Sequence, residues 1–213
     1  MELLAALWDF VMHLDAHLAE FVAAHGAWVY ALLFAIVFTE TGVVIWPFMP
    51  GDSLLFVVGA LAAVGGMDIV TVMAVLVSAA LCGDNANYWI GRWAGPKVFR
   101  ARDSRWFSRK YLERAHAFYE RHGGKAIIIA RFLPIVRTYV PFVAGIGTMS
   151  YARFLGFSVV GALLWVVSLC LAGYWFGNIP AVKDNLGMAI VIIVAISLTP
   201  IAVGVLRARR SGA

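Results

Sequence analysis

Long apolar stretches alternate with short polar or proline-containing breaks along the chain. Three of them, at 68–92, 152–177 and 186–206, are longer than the roughly 20 residues that a helix needs to cross a bilayer. Two more, at 28–65 and 126–149, are interrupted by proline, glycine and charge. The pattern predicts an all-α integral membrane protein in which two of the apolar segments are broken helices.

Polar residues are concentrated in the segments that flank these stretches. Residues 1–27 mix acidic side chains with leucine, tryptophan and phenylalanine, which is typical of an amphipathic helix at a membrane surface. Segment 93–125 is a basic loop, and helical spacing of its apolar residues predicts an interfacial helix inside it. Residues 207–213 form a basic tail.

The positive charges lie on one side of the predicted topology. All 17 Lys and Arg residues lie at or after Arg92, and ten of them fall between Arg92 and Lys125. The positive-inside rule then makes loop 92–125 and the C-terminus cytoplasmic. A basic surface that faces anionic lipid accounts for the net charge of +5, so nucleic acid is not indicated as a partner.

Counting membrane crossings assigns the two broken segments. Span 68–92 ends at the basic loop, and spans 152–177 and 186–206 must return the chain to the basic tail. This parity requires 126–149 to enter and leave on the cytoplasmic side, as a re-entrant hairpin with its bend near residues 137–141. Irregular backbone at membrane depth is tolerated where protein or a wet cavity satisfies it.

The earlier broken segment, 28–65, is predicted as a second re-entrant hairpin that enters from the opposite side. It carries Pro47, Pro50 and Gly51 near its centre. Two oppositely oriented hairpins, each followed by a span, form an inverted repeat of the kind that places a transporter's binding site near the bilayer midplane. An ordinary two-span hairpin is the alternative for 28–65.

Five ionisable residues lie in apolar surroundings: Glu40, Asp52, Asp84, Arg131 and Arg137. A charge at bilayer depth costs about 2.5–3.5 kcal/mol, so such residues persist where they face a partner charge, water or an anionic ligand. If the two hairpins meet, the acids and bases share one polar centre. Pairing that only holds helices together is the alternative, and it fits Asp84 best, with Arg92 or Arg131 as its partner.

Chemistry assigns a role to each charge. Arginine stays protonated and its planar fork matches phosphate, so Arg131 and Arg137 are candidate ligands of an anionic headgroup. A carboxyl in apolar surroundings favours its neutral form, so Glu40 and Asp52 are candidate proton-exchanging residues. Helix breakers are expected to support the site by exposing backbone N–H groups; they are Pro47, Pro50, Gly51, Pro134 and Pro141.

The remaining histidine, cysteine and glycine patterns do not predict a ligand site. His13 and His17 have metal-compatible spacing but no evident third ligand, so no metal site is predicted, and no cofactor is implied. Cys82 and Cys170 are interpreted as small apolar core residues. Gly91 lies where two helices are expected to approach closely.

At these positions the chain resembles the DedA family, the bacterial branch of the VTT-domain (SNARE-associated-type) membrane proteins. The N-terminal part, 8–30, also looks like the founding member of that family. The matching stretches are Phe38-Thr-Glu40-Thr-Gly42, Pro47-Phe-Met-Pro50-Gly51-Asp52-Ser53-Leu54, Gly83-Asp84-x3-Tyr88-x2-Gly91-Arg92, Arg131-Phe-Leu-Pro134-x2-Arg137, Pro141-Phe-Val-Ala-Gly145 and Gly161-Ala-Leu-Leu-Trp165.

The resemblance implies an inner-membrane protein with two facing re-entrant hairpins that translocates a lipid. The cargo is undecaprenyl phosphate for some relatives and a phospholipid for others, and the proton-motive force is implicated for some. It also implies that the acids at Glu40 and Asp52 and the arginines at Arg131 and Arg137 form the functional set.

The sequence therefore predicts one membrane domain, 1–213, that acts as a flippase- or scramblase-like transporter and not as an enzyme. Its expected partners are an anionic membrane lipid and protons, and a homo-oligomer is compatible with the pattern. A non-transporting membrane-homeostasis or assembly factor is the alternative. A membrane lipid phosphatase is disfavoured, because the usual histidine nucleophile is missing from 28–65 and 126–149.

Overall fold

The computed structural model describes residues 26–42, 51–94, 109–133, 136–147 and 149–183. Within these ranges the regular secondary structure is entirely helical, as predicted. The helices are α1 (Ala27–Gly42), α2 (Gly51–Ala63), α3 (Ile69–Ala94), α4 (Arg109–His122), α5 (Lys125–Ala130), α6 (Val136–Ile146), α7 (Tyr151–Gly177) and α8 (Pro180–Lys183). Residues 1–25 of the predicted amphipathic helix, the span at 186–206 and the tail at 207–213 lie outside the described residues.

Helices α3 and α7 are long and apolar enough to cross a membrane, by length and composition. They contain 26 and 27 residues, which at 1.5 Å per residue exceeds the roughly 30 Å of a bilayer's hydrocarbon core. Their bounds match the predicted spans at 68–92 and 152–177 to within two residues. Aromatic side chains near their ends, including Trp93 and Trp175, are exposed.

Both segments predicted as hairpins consist of short helices. Helices α1 and α2, of 16 and 13 residues, replace a single span in the first segment. Helices α5 and α6, of 6 and 11 residues, do so in the second. All four are shorter than the roughly 20 residues of a transmembrane helix, and the re-entrant path of each segment stays a prediction.

The bend predicted near residues 137–141 was placed wrongly. Helix α5 ends at Ala130 and is followed by turn residues at 131–133, α6 begins at Val136, and Pro141 is inside α6. A residue before proline avoids helical geometry, which favours a break at the residue before Pro134. Pro141 removes one helical hydrogen bond without ending α6, so the helix N-terminus in this segment is at Val136.

Contacts divide the chain into two compact units. The first unit includes α2, α8, residues 69–73 of α3 and residues 168–177 of α7. There α2 and α7 meet backbone to backbone, because Gly173 lies against the carbonyl of Phe56. Cys170 in α7 is buried, as interpreted from the sequence, whereas Cys82 in α3 is exposed and that half of the interpretation was wrong.

The second unit contains residues 31–42 of α1, 74–94 of α3, 151–167 of α7, and all of α4, α5 and α6. Helices α4, α5 and α6 pack on one another. Aromatic and aliphatic side chains fill the core around them, among them Tyr88, Ile127, Val140, Phe142 and Phe154. The helix predicted in the basic loop is present as α4, and its interfacial position stays a prediction.

Local signals set the break between α2 and α3. Gly65 has a φ of 85°, and the N–H groups of Gly65 and Gly66 donate to the carbonyls of Ala62 and Leu61, which ends α2 in a Schellman motif. Asp68 then caps α3, because its Oδ2 accepts hydrogen bonds from the Thr71 hydroxyl at 2.6 Å and the Thr71 N–H at 2.7 Å. These bonds hold the pKa of Asp68 below its ordinary value.

Glycines bring the helices of the second unit close together. A Cβ on Gly145 of α6 would lie 2.9 Å from the carbonyl carbon of Tyr88 in α3, and a Cβ on Gly91 would lie equally close to that of Phe142. A Cβ on Gly42, at the end of α1, would lie 3.2 Å from the Cα of Gly83. The close packing predicted at Gly91 is confirmed. These contacts bring polar residues of α1, α3 and α6 close to one another.

Candidate functional site

Glu40 and Arg137 form a buried ion pair in the second unit. Glu40 lies in the last turn of α1 and Arg137 is the second residue of α6. Nη2 of Arg137 donates to Oε1 of Glu40, and the two side chains are 7% and 1% exposed. The break before α6 therefore directs an arginine towards the end of α1.

Arg131 and Asp84 form a second buried pair in the same unit. Arg131 follows the last residue of α5, and its Nη2 donates to Oδ2 of Asp84 in α3. The hydroxyl of Ser158, on α7, donates to the same carboxylate oxygen at 2.5 Å. Asp84 is thus held by two donors, one of them charged, and the pairing of Asp84 with Arg131 considered from the sequence is present.

Trp165 of α7 lies beside both arginines. The guanidinium carbons of Arg131 and Arg137 are 5.9 Å and 5.5 Å from its ring centroid. Both distances are within the roughly 6 Å range of a cation–π interaction. Since Trp165 is itself buried, one aromatic ring contacts two guanidinium groups, one directly after α5 and one in α6.

Asn87 connects the backbones around the two pairs. Its Nδ2 donates to the carbonyl of Thr41 in α1 at 3.2 Å and to that of Thr138 in α6 at 2.6 Å. Asn87 is fully buried and lies three residues after Asp84, on the same face of α3. The amide therefore ties the ends of the helices that carry Glu40 and Arg137 to the helix that carries Asp84.

A small cavity lies among these charges. It is lined by Thr41, Asp84, Arg131, Arg137 and Trp165, and its volume is about 10 Å³, which is close to the space that one water molecule needs. Oε2 of Glu40 and Nε of Arg131 are buried and make no hydrogen bond within the described part of the chain. Acceptor and donor capacity therefore remains beside the cavity after both ion pairs have formed.

Among the described residues, the ion pairs of this site consist of two arginines and two acids. Two guanidinium groups face two carboxylates, so an incoming anion meets arginines that already hold acids. A phosphate carries the same kind of acceptor oxygens as a carboxylate and competes for the same donors. The arrangement is suited to an exchange in which a carboxylate leaves its arginine as an anion arrives.

The structure gathers four of the five charged residues singled out from the sequence. Asp52 lies in the first turn of α2, which belongs to the first unit, and it makes at least one interaction. Gly51 begins α2 and Pro141 lies within α6. Pro47, Pro50 and Pro134 are outside the described residues, as are His13 and His17.

Sequence reasoning gave no role to Trp165 or Asn87. For Asn87 a signal existed: a carboxamide three residues after Asp84 in an apolar helix shares its face. For Trp165 the signal was its place in the family-matching stretch Gly161-Ala-Leu-Leu-Trp165, since a tryptophan in an apolar span is otherwise equally typical of a lipid-facing anchor. In the described residues no group of three or more His, Cys, Asp or Glu side chains lies close enough to hold a metal ion.

The geometry can be compared with known proteins. The model of the VTT domain matches residues 49–175, a range that includes Asp84, Arg131, Arg137 and Trp165. The chain is 54% identical over 215 residues to Protein DedA of Escherichia coli (strain K12), with 100% of this chain and 98% of that protein covered. This chain belongs to the DedA family.

Further DedA-family relatives are more distant. An uncharacterized membrane protein of Mycobacterium tuberculosis (strain ATCC 25618 / H37Rv) is 45% identical over 83% of this chain and 79% of its own length. Inner membrane protein YghB of Escherichia coli (strain K12) is 38% identical over 86% and 82%. No solved structure matches the chain. The family and the apolar helices α3 and α7 together make this a membrane protein.

Proposed function

We propose that this DedA-family protein carries a phosphate-bearing lipid, such as undecaprenyl phosphate or a phospholipid, across the bacterial inner membrane. Arg131 and Arg137 hold the phosphate headgroup while the lipid tails stay in the bilayer. Glu40 and Asp52 exchange protons during the cycle. The observation that carries the proposal is the pair of buried arginine–carboxylate bridges around one cavity.

A purely structural purpose accounts poorly for this arrangement. Replacing a buried ion pair by apolar residues of similar volume is often neutral or stabilising. Two such pairs in one unit, beside a cavity and partly unsatisfied polar atoms, are therefore a costly way to hold helices together. Charges retained in membrane proteins usually mark a ligand or proton pathway.

Exchange of Glu40 for a phosphate oxygen at Arg137 couples headgroup binding to protonation of Glu40. Glu40 holds Arg137 while it is ionised. When Glu40 takes up a proton, its attraction for the guanidinium weakens and Arg137 becomes available to a phosphate oxygen. Because linkage is reciprocal, phosphate binding favours protonation of Glu40, and proton uptake favours phosphate binding.

Arg131 has the more static role of the two arginines. Asp84 is held by both Arg131 and the Ser158 hydroxyl, so its carboxylate is stabilised by a donor that Glu40 does not share. Arg131 still has donors to offer, because a guanidinium has five N–H groups. We assign Arg131 to positioning the headgroup with Asp84 in place, and Arg137 to the exchange step.

The proposed orientation of the protein in the membrane follows from the positions of its Lys and Arg residues. Loop 92–125 and the basic C-terminal tail face the cytoplasm in the proposed topology. The inner-membrane location accords with the name of the relative YghB. Anionic lipid at the cytoplasmic surface then lies next to the most basic part of the chain.

Transport in proteoliposomes tests the proposal. The purified protein is expected to accelerate the movement of a fluorescent phosphate-bearing lipid, and not that of a glycosyl diacylglycerol with the same acyl chains, whose polar headgroup lacks phosphate. Arg131→Gln and Arg137→Gln are expected to stop transport, whereas Arg114→Gln, at an exposed position of α4, leaves it unchanged. Full transport by both arginine variants overturns the anion site. A folded wild-type protein that moves neither class of lipid favours the non-transporting assembly factor instead.

A further inference from the structure

A groove lies on the surface of the second unit, between α5 and the first turns of α7. It is lined by Ile128, Ala152, Arg153, Gly156, Phe157 and Val160, and its volume is about 360 Å³. All six residues belong to the same unit. The groove is apart from the buried cavity, and no part of the proposed headgroup exchange uses it.

The lining combines one positive charge with apolar walls. Arg153 is exposed and is the one charged residue among the described residues that line the groove. Every other lining residue is apolar or glycine. A matching ligand therefore has a negatively charged end and a hydrocarbon body, which is the chemistry of an anionic lipid.

The position of the groove on α7 fits the depth of such a lipid. Arg153 is in the first turn of this apolar helix, beside Tyr151, an aromatic residue of the kind found at headgroup level. Val160 is seven residues further along, about 10 Å deeper. Val160, Leu163 and Leu164 are each about half exposed, so this face of α7 is open to hydrocarbon.

The inner wall of the groove adjoins the charged site. Gly161 follows Val160, and a Cβ there would lie 3.1 Å from Cδ and Nε of Arg131 and 3.3 Å from the Cα of Ile128. The absence of a side chain at residue 161 favours this close approach of the Arg131 side chain and α5 to α7, because a Cβ there would push them apart by a few tenths of an ångström. A molecule in the groove therefore lies on one side of α7, at Val160, while Arg131 lies against the next residue, Gly161.

We infer that this groove binds one anionic phospholipid, with its phosphate at Arg153 and an acyl chain along Gly156, Phe157 and Val160. The site does not depend on transport. It is a membrane-facing binding site in its own right, and it places a lipid next to the segment that carries Arg131.

Photo-crosslinking tests the site directly. Phosphatidylglycerol with a photoreactive acyl chain is incorporated into phosphatidylcholine proteoliposomes that contain the full chain, and labelled peptides are mapped. Labelling is expected at residues 126–133 and 152–160. Arg153→Gln is expected to lower it about five-fold, the effect of one basic residue at an anionic surface, whereas Arg153→Lys and the exposed-site control Arg114→Gln retain it.

A second variant fills the groove without touching charge. A Cβ on Gly156 meets nothing within 4 Å, so Gly156→Leu places its side chain in open space and is expected to remove labelling. Gly156→Ala is the matched control. Unchanged labelling in Gly156→Leu, or equal labelling by a phosphatidylcholine probe, overturns the inference, as does a change of oligomeric state in Gly156→Leu with labelling intact.

Lipid binding in the groove and lipid transport can be tested separately. Arg137→Gln is expected to stop transport and to leave labelling of the groove as in the wild type. Loss of the groove signal with transport intact contradicts only this inference. A labelled groove in a protein that moves no lipid contradicts only the proposed function.

Discussion

Arg137 donates a hydrogen bond to Glu40 although 97 residues separate them in the chain. The second pair, Arg131 with Asp84, joins residues 47 apart. Each arginine of the candidate site is therefore already neutralised by its own carboxylate. A phosphate headgroup binds there by displacing an acid, and a displaced acid in buried surroundings favours its protonated form.

The Arg131–Asp84 pair is expected to be strongly coupled in stability. Removing one partner leaves the other charge buried, so Asp84→Leu or Arg131→Met alone should lower the free energy of unfolding by about 3–5 kcal/mol. The double variant should recover much of that loss, because no uncompensated charge remains. Denaturant unfolding in detergent measures this double-mutant cycle, with Arg114→Gln as a control expected within about 0.5 kcal/mol of the wild type. Additive single effects would show that the pair does not interact.

Trp165 is expected to act through its ring and not through its volume alone. Trp165→Phe keeps a weaker aromatic face, whereas Trp165→Leu removes it, and a cation–π contact contributes about 0.5–2 kcal/mol. Binding of a phosphate-bearing lipid should therefore weaken in the order Trp, Phe, Leu. Both substitutions leave unfilled volume, so equal affinities for the Phe and Leu variants would assign the effect to packing.

The close contact of α3 with α6 is expected to be intolerant of a methyl group. In Gly145→Ala the added Cβ meets the backbone of Tyr88 and Arg92, and the helices must separate, at a cost of about 1–3 kcal/mol. Gly156→Ala is the matched control, because its Cβ meets nothing within 4 Å. Thermal unfolding in detergent compares the two variants, and equal melting temperatures would contradict this account of the helix contact.

The sequence predicted which residues are costly to bury, but not how they pair. Hydrophobic runs located α3 and α7 to within two residues, since span length is a local property. Pairing depends on rotation about each helix axis, and contacts such as Gly42 with Gly83 set that rotation. No local pattern reveals that Glu40 meets Arg137 and that Asp84 meets Arg131.

Proline was the least reliable local signal. Helix α5 ends at Ala130, and α6 continues through Pro141. A proline inside a helix removes one hydrogen bond, and tertiary packing decides whether the helix ends there. The proton-exchanging roles of Glu40 and Asp52 both stay predictions.

The central claim is that Glu40 and a phosphate headgroup compete for Arg137. Glu40→Gln keeps the size of the side chain and an acceptor oxygen but cannot exchange a proton. We expect this variant to bind phosphate-bearing lipid more tightly, since Arg137 is no longer neutralised, and to transport it at a rate that no longer responds to a proton gradient.

The most direct measurement is lipid transport in proteoliposomes with a proton gradient imposed and then collapsed, for the wild type and Glu40→Gln in parallel. The account predicts a gradient-dependent rate for the wild type and a gradient-independent rate for Glu40→Gln. A Glu40→Gln variant whose transport keeps the full response to the gradient would contradict it.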